Sequence, residues 1–218
     1  MKYKHIFFDL DGTITEPVEG ITNAFMYSLE KFGIKVSDRT SLYKVIGPPL
    51  RDSYKEFYGF SDEQAEEAIG YYREYYSVRG LIENDIMSGM EEALRTLKDA
   101  GCHLYVATSK PEVYAIKILE HLGLDGYFDI IAGSLFDGSR DKKELVIKYL
   151  LDRCGMKADE LTSVVMVGDR KFDILGAKHF GMDNIGVTFG YGSREELLEC
   201  QAMHIVDSAD ELVQYILS

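Results

Sequence analysis

Two carboxylates, one residue apart, close an apolar run in the stretch HIFFDLDGT at residues 5–13. Side chains at i and i+2 of an extended backbone point to the same side, so Asp9 and Asp11 face one volume just past a buried strand. Asp-Gly is also common turn chemistry, and the pair by itself reads equally well as a solvated strand end. The sharper reading is phosphate chemistry, because the rest of the chain supplies the other parts that such chemistry needs. Thr108 and Ser109 end a second apolar run, just ahead of Pro111 at a helix start, where hydroxyls and backbone N–H groups can hold phosphate oxygens or simply cap the helix. Lys142 and Lys143 precede the helical stretch ELVIKYLLDRC, and a lysine there can neutralise a phosphate as a point charge or lie idle on the surface. A further run ends in VGDRKFD, which puts Asp169 at a strand tip and Asp173 four residues on, where an acid also favours a helix dipole.

The elements that must position these residues alternate in the second half of the chain. Strands are expected at HLYVAT (103–108), FDIIAG (128–133), SVVMVGD (163–169), NIGVTFG (184–190) and HIVDS (204–208). Their continuous Val- and Ile-rich character suits strands covered on both faces of a parallel sheet. Ser88 with Glu91, Ser193 with Glu196 and Ser208 with Glu211 have capping-box spacing, and Pro111 suits a first helical position. The fold class is therefore α/β, a Rossmann-like doubly wound parallel sheet whose ligands sit beyond the carboxyl ends of the strands.

Residues 15–83 interrupt that pattern with an all-helical insert, leaving 1–14 and 84–218 as the core. Ile21, Ala24, Phe25, Ser28, Leu29 and Phe32 fall at helical spacing, and Ser61 with Gln64 opens a helix carrying Ala65, Ala68, Ile69, Tyr72 and Tyr76. The insert leaves directly after DLDGT, so it is expected to act as a lid, with hinges near Thr15–Glu19 and Gly80–Asn84. Within it, Gly47 and the Pro48–Pro49 pair make a rigid reversal, and Arg51 can meet an anionic substrate group or remain a solvated helix residue. Tyr71, Tyr72, Tyr75 and Tyr76 on one helix can line a substrate cleft or form a dimer patch, but read first as packing between cap helices.

Composition narrows the function classes. The 218 residues, 46% apolar, suffice for one α/β core with an inserted subdomain. A net charge of -13, from 24 basic and 37 acidic residues, disfavours nucleic acid and anionic membrane as partners. No apolar run is long enough to span a bilayer and no signal peptide is visible, so a cytoplasmic location is expected. Cys102, Cys154 and Cys200 lack CxxC spacing and suggest neither a disulfide framework nor a zinc site. His5 and His103 read as structural.

Taken in order, DLDGT after the first strand, TS after the second, a lysine before a later helix and GDRKFD after the fourth resemble the four motifs of the haloacid dehalogenase superfamily, in particular its phosphatases. The resemblance covers the whole chain. The cap is similar to those of the phosphoglycolate phosphatase and β-phosphoglucomutase branch. FFDLDGTIT, IGPPLRDSY, VATSKP, SLFDGSRDKKELVIKYLL and VGDRKFDILGAK are most similar to the phosphoglycolate-phosphatase-like subgroup.

That resemblance implies Mg²⁺-dependent hydrolysis of a small phosphorylated metabolite by a monomer or weak homodimer. Asp9 would be the nucleophile that forms an aspartyl phosphate, and Asp11 the acid and base, protonated part of the time. Metal would be held by Asp9, Asp169 and the backbone carbonyl of Asp11, with Asp173 in support. Lys143 is implied over Lys142, because it keeps the family's offset to the following Val-Ile pair, and Thr108, Ser109 and Gly12 would bind the phosphoryl group. A cation is needed on physical grounds too, since two unit charges about 4 Å apart repel by about 4 kcal/mol at an effective dielectric of about 20. A 5′-nucleotidase, a pyrophosphatase or a β-phosphoglucomutase-like phosphotransferase are alternatives of the same family. Asp11 argues against dehalogenation, whose enzymes lack the second aspartate, and the full set of acids argues against a non-enzymatic sensor.

Overall fold

A computed structural model describes residues 2–218, the side chains of 158 and 159 excepted. Two compact units make up the chain: Met1–Thr15 with Ile86–Ser218, and Glu16–Asp85. In chain order the strands are β1 (His5–Phe8), β2 (Thr15–Glu16), β3 (Asp85–Ile86), β4 (His103–Pro111), β5 (Ile130–Ser134), β6 (Val164–Gly168), β7 (Asp183–Val187) and β8 (His204–Val206). The α-helices are α1 (Val18–Lys31), α2 (Leu50–Tyr58), α3 (Asp62–Tyr75), α4 (Met90–Asp99), α5 (Glu112–Leu122), α6 (Lys143–Cys154), α7 (Lys171–His179), α8 (Arg194–Glu199) and α9 (Ala209–Leu217).

The first unit is a parallel six-stranded sheet in the order β5-β4-β1-β6-β7-β8, which is the Rossmann-like arrangement expected of the alternating pattern. Strand β1 lies between β4 and β6, with Phe8 opposite Val106 on one side and Val167 on the other. Because successive side chains alternate, Ile6 and Phe8 enter one apolar layer with Leu104, Val106, Val165 and Val167, while Phe7 enters the other with Tyr105, Ala107, Val164 and Met166. Leu94 and Leu97 of α4, Leu119 of α5 and Leu212 and Ile216 of α9 close the first layer. Val146, Ile147 and Leu150 of α6 with Ala177 of α7 close the second. Both faces of the sheet are covered, which is why its strands read as unbroken apolar runs.

Several boundaries differ from the sequence expectation for local reasons. Strand β7 stops at Val187 instead of continuing through Gly190, and the residues that follow form a loop. Strand β8 stops at Val206 because Ser208 caps α9, accepting from the Glu211 N–H. Ser193 caps α8 through Glu196 in the same way. Ser88 does not cap α4, whose N-cap is Gly89 in a left-handed conformation with no side-chain bond. Pro111 is the last residue of β4 and the N-cap of α5, one position earlier than expected.

The regular elements of the second unit are helices apart from its short end strands, and β2 pairs with β3. Its core centres on Phe25 of α1, whose ring lies 4.7 Å from that of Tyr54 and 5.4 Å from that of Tyr72. Ser28 Oγ donates to the carbonyl of Ala68 at 2.7 Å, and Ser61 with Gln64 forms the full capping box that opens α3. Of the tyrosine group, Tyr72 and Tyr76 are buried and stacked at 5.2 Å, as packing requires. Just past the first expected hinge segment, Gly20 N–H donates to the carbonyl of Glu83, in the second, at 3.1 Å. No described helix is long and apolar enough to cross a membrane.

Removing the Phe25 ring should leave a cavity among buried aromatics. Phe25→Ala is expected to destabilise the protein by about 3–5 kcal/mol, read as a lower urea midpoint. A loss below about 1 kcal/mol would show that Phe25 is not the centre of that core.

Candidate active site

The site grows from the end of β1. Asp9 N–H donates to the carbonyl of Val167 at 2.9 Å, which holds the residue after the strand against β6. Leu10 is buried in the core, and its carbonyl accepts from the N–H groups of Thr13, Ile14 and Thr15 at 3.2, 2.9 and 2.9 Å. That turn leaves Asp9 and Asp11 flanking a core residue, the geometry expected of i and i+2 positions. The turn requires Gly12, which has φ +82° and whose missing Cβ would stand 2.5 Å from Asp169 Oδ2.

Helix starts bring in the other charges. Lys143, at the first turn of α6, is 4% exposed, and its ammonium group lies 2.8 Å from Asp9 Oδ1, 2.8 Å from Asp173 Oδ1 and 2.9 Å from the Ala107 carbonyl, to which it donates. Lys142 is exposed at the helix N-cap, so of the two lysines only Lys143 reaches the carboxylates. Asp173 sits in the first turn of α7 and also accepts from Arg170 N–H through Oδ2 at 3.1 Å. Asp169 follows β6 and is fully buried; Tyr191 N–H donates to its Oδ2 at 2.7 Å, and Thr13 Oγ1 lies 3.5 Å from Oδ1.

Thr108 is buried in β4, and its Oγ1 accepts from Lys110 N–H at 3.2 Å; Ser109 beside it is half-buried. Arg51 belongs to the second unit, half exposed on α2, and its guanidinium pairs with Glu66 and, at 4.0 Å, with Asp62. The first unit thus gathers Asp9, Asp11, Gly12, Thr108, Ser109, Lys143, Asp169 and Asp173 at the carboxyl ends of neighbouring strands, where ligands of doubly wound sheets bind. His5 and His103 stand at the opposite strand ends, stacked at 5.1 Å, with His103 bonded to Asp129.

Two contributors escaped the sequence reading. Lys110 is buried with its ammonium group 2.9 Å from Asp11 Oδ1, and its only sequence signal was its place between the TS pair and Pro111. Tyr191 reaches Asp169 through its backbone, which the Gly-Tyr-Gly turn after β7 would have hinted at but a long strand assignment concealed.

Electrostatics follow from burial. Burial pushes the Asp11 carboxyl above the usual carboxylate range, against the pull of Lys110, with Asp9 adding a smaller push in the same direction. Asp169 is raised well above that range by burial first and then by repulsion from Asp173 and Asp9. Burial also raises Asp173, opposed by Lys143. For Lys143 itself, burial works against the charge, but Asp173 and Asp9 outweigh it and the ammonium form is strengthened.

Among the described residues, one carboxylate oxygen each from Asp9, Asp169 and Asp173 lie within 4.8 Å of one another, a cluster able to hold a divalent cation. Asp11 does not contribute a side-chain oxygen to it. The donor set fits such an ion on the structure's own terms. Oδ1 of Asp9, of Asp11 and of Asp173 is buried and accepts no hydrogen bond of good geometry, meeting only a lysine ammonium at 2.8–2.9 Å. With all four ionised, the carboxylates would outnumber the two ammonium groups, and a divalent cation offsets that excess of negative charge. All-oxygen donors suit hard cations such as Mg²⁺.

The profile of the family described as "Haloacid dehalogenase-like hydrolase" matches residues 6–187. The chain is 44% identical to a 5′-nucleotidase of Pseudomonas aeruginosa, over 94% of this chain and 91% of that protein. It is 38% identical to the tyrosine-protein kinase PtkA of Mycobacterium tuberculosis, over 95% of this chain and 70% of that protein. A solved structure of a predicted phosphatase from Clostridium acetobutylicum superposes with a TM-score of 0.94 at 48% identity, covering 100% of this chain and 99% of that one. Phosphoglycolate phosphatases of Colwellia psychrerythraea and Vibrio parahaemolyticus are 27% identical to it.

The raised carboxyls set a pH dependence. Without metal, the folded site keeps protons at pH values where the unfolded chain has lost them, so metal-free stability falls as pH rises from about 4 through the raised pKa values. A cation replaces those protons. The rise in melting temperature on adding Mg²⁺ should therefore be larger at about pH 7.5 than at about pH 5, as thermal scans with and without chelator would show. An equal shift at both values would mean that protons and metal do not compete here.

Proposed function

Because the chain belongs to the haloacid dehalogenase-like hydrolases, we propose that it is a Mg²⁺-dependent phosphomonoesterase acting on a nucleoside 5′-monophosphate. The chemistry rests on one observation: a buried cluster of Asp9, Asp169 and Asp173 around which Lys143 and Lys110 supply fixed positive charge. For the substrate, the greater likeness to a 5′-nucleotidase than to phosphoglycolate phosphatases favours a nucleotide over phosphoglycolate, the substrate that the motif resemblance had put first.

In the proposed reaction an Asp9 carboxylate oxygen attacks phosphorus in line, a P–O bond forms to Asp9, and the P–O bond to the leaving alcohol breaks. Asp11 gives its proton to the leaving oxygen. Water then attacks the aspartyl phosphate and gives a proton to Asp11; the bond to Asp9 breaks, releasing inorganic phosphate and restoring both acids. Lys143 holds Asp9 in place and faces the phosphoryl charge, and Thr108, Ser109 and the Gly12 backbone bind its oxygens. Mg²⁺, held by Asp9, Asp169 and the Asp11 carbonyl with Asp173 in support, would offset the charge that otherwise keeps a phosphate dianion from Asp9. The ion pairs of Arg51 are exposed and weak, so Arg51 stays available to a substrate anion.

Phosphate release measured with Mg²⁺ over nucleoside 5′-monophosphates, phosphoglycolate, pyrophosphate and hexose phosphates should peak on a nucleotide and vanish with chelator. A peak on phosphoglycolate would overturn the substrate assignment, and labelling of a tyrosine peptide from ATP without phosphate release would favour a kinase. Asp9→Asn should lower phosphate release by more than about 1,000-fold. Near wild-type turnover in that variant would remove Asp9 as the nucleophile.

A further inference from the structure

Lys110 reaches the site through an irregularity in β4. Ala107 pairs with Ala132 of β5, yet the next paired positions are Pro111 and Ser134, so Thr108, Ser109 and Lys110 stand opposite Gly133 alone. Extra residues on one strand of a pair re-aim the side chains that follow, and here the bulge carries a lysine inward. Gly133 is what allows the crowding, because a Cβ there would lie 2.5 Å from the Lys110 carbonyl oxygen and 2.7 Å from Glu112 N. A part-buried brace holds the bulge. Arg140 donates to the Gly133 carbonyl at 2.7 Å through Nε and to Glu112 Oε2 at 2.6 Å, and that same oxygen faces Gly133 N–H at 3.3 Å. Arg140 and Glu112 are largely shielded from water, so this pair is better placed to fix backbone than an exposed one.

What the bulge delivers is one ammonium group, 2.9 Å from Asp11 Oδ1, with both side chains nearly closed to solvent. Among the described residues, Asp11 Oδ1 accepts no other bond. A carboxylate can present two oxygens, and engaging one of them fixes the direction of the other. We propose that Lys110 is the positioning residue for Asp11: it holds Oδ1 so that Oδ2 is presented to the leaving oxygen of the phosphoester. Lys143 does the corresponding work for Asp9, so each of the paired aspartates has its own buried lysine. Asp11 is an acid without a fixed rotamer once Lys110 is gone. The inference rests on the phosphomonoesterase reading and on Asp11 as its proton donor.

Leaving-group dependence separates positioning from mere support. A nucleoside 5′-monophosphate expels an alkoxide that needs a proton, whereas p-nitrophenyl phosphate expels a phenolate that hardly does. The measured quantity is kcat/KM, which reports the first transfer, for Asp11→Asn, Lys110→Met and Lys110→Arg. Asp11→Asn should lose about 100-fold or more on the nucleotide and less than about 10-fold on the aryl ester. Lys110→Met should show the same selectivity, with Lys110→Arg restoring part of the loss on the nucleotide. Equal losses on both esters in Lys110→Met, beside a selective Asp11→Asn, would overturn the role of Lys110 and leave the reading of Asp11 intact. An unselective Asp11→Asn would overturn that reading and the proposal with it. If Lys110→Met does not fold, Arg140→Gln loosens the same bulge from outside the site, and it should reproduce the nucleotide-selective loss in weaker form; unselective loss there counts against the proposal.

Discussion

One buried ammonium group joins three parts of this chain that are far apart in sequence. Lys143 stands between Asp9, after the central strand β1, and Asp173, in the first turn of α7, and it donates to a carbonyl of β4. A charge taken so far from water must be paired, and losing one partner leaves the other exposed to the full cost of burial. Such a group therefore specifies geometry: α6, α7 and the strand ends can be assembled in one way only if Lys143 is to find both acids. The rest of the site is arranged around that constraint.

The sheet makes the constraint satisfiable. β1 is flanked by β4 and β6, so residues at the carboxyl ends of three strands stand side by side, and both apolar layers behind them are closed. Carboxylates gathered there repel one another, and burial magnifies the effect by raising Asp11, Asp169 and Asp173 together. Lysines offset part of the charge, and a divalent cation can offset the rest. The fold thus stores, in the positions of its acids, the requirement for positive charge that phosphoryl transfer imposes.

The two units divide the work differently. Within the first, each of the four aspartates is held by backbone or by a buried lysine, from the Tyr191 N–H on Asp169 to the Arg170 N–H on Asp173. Arg51, the cap residue proposed for substrate recognition, instead pairs with exposed acids of its own unit. Rigid chemistry and loosely held recognition are consistent with a family in which one core serves many substrates.

Much of this could be read from the residues in order. The alternation of apolar runs with capped helices identified the parallel sheet, because strands covered on both faces cannot hide their composition. Spacing alone put Asp9 and Asp11 on one side, and motif order pointed to Thr108, Lys143, Asp169 and Asp173. Local chemistry misplaces ends: the apolar run points to a strand as far as Gly190 where β7 stops at Val187, and the Ser88–Glu91 spacing points to a cap that Gly89 provides through its backbone. Lys110 and Tyr191 were decided by tertiary structure alone. A lysine in a strand has no signature for facing inward until the neighbouring strand is short of residues opposite it, and a backbone N–H carries no sequence label at all. Residue types determined which charges the protein possesses; only the packing of β4 against β5, and of the loop after β7 against Asp169, decided which of them meet, because contact between distant segments depends on register and burial that no local pattern encodes.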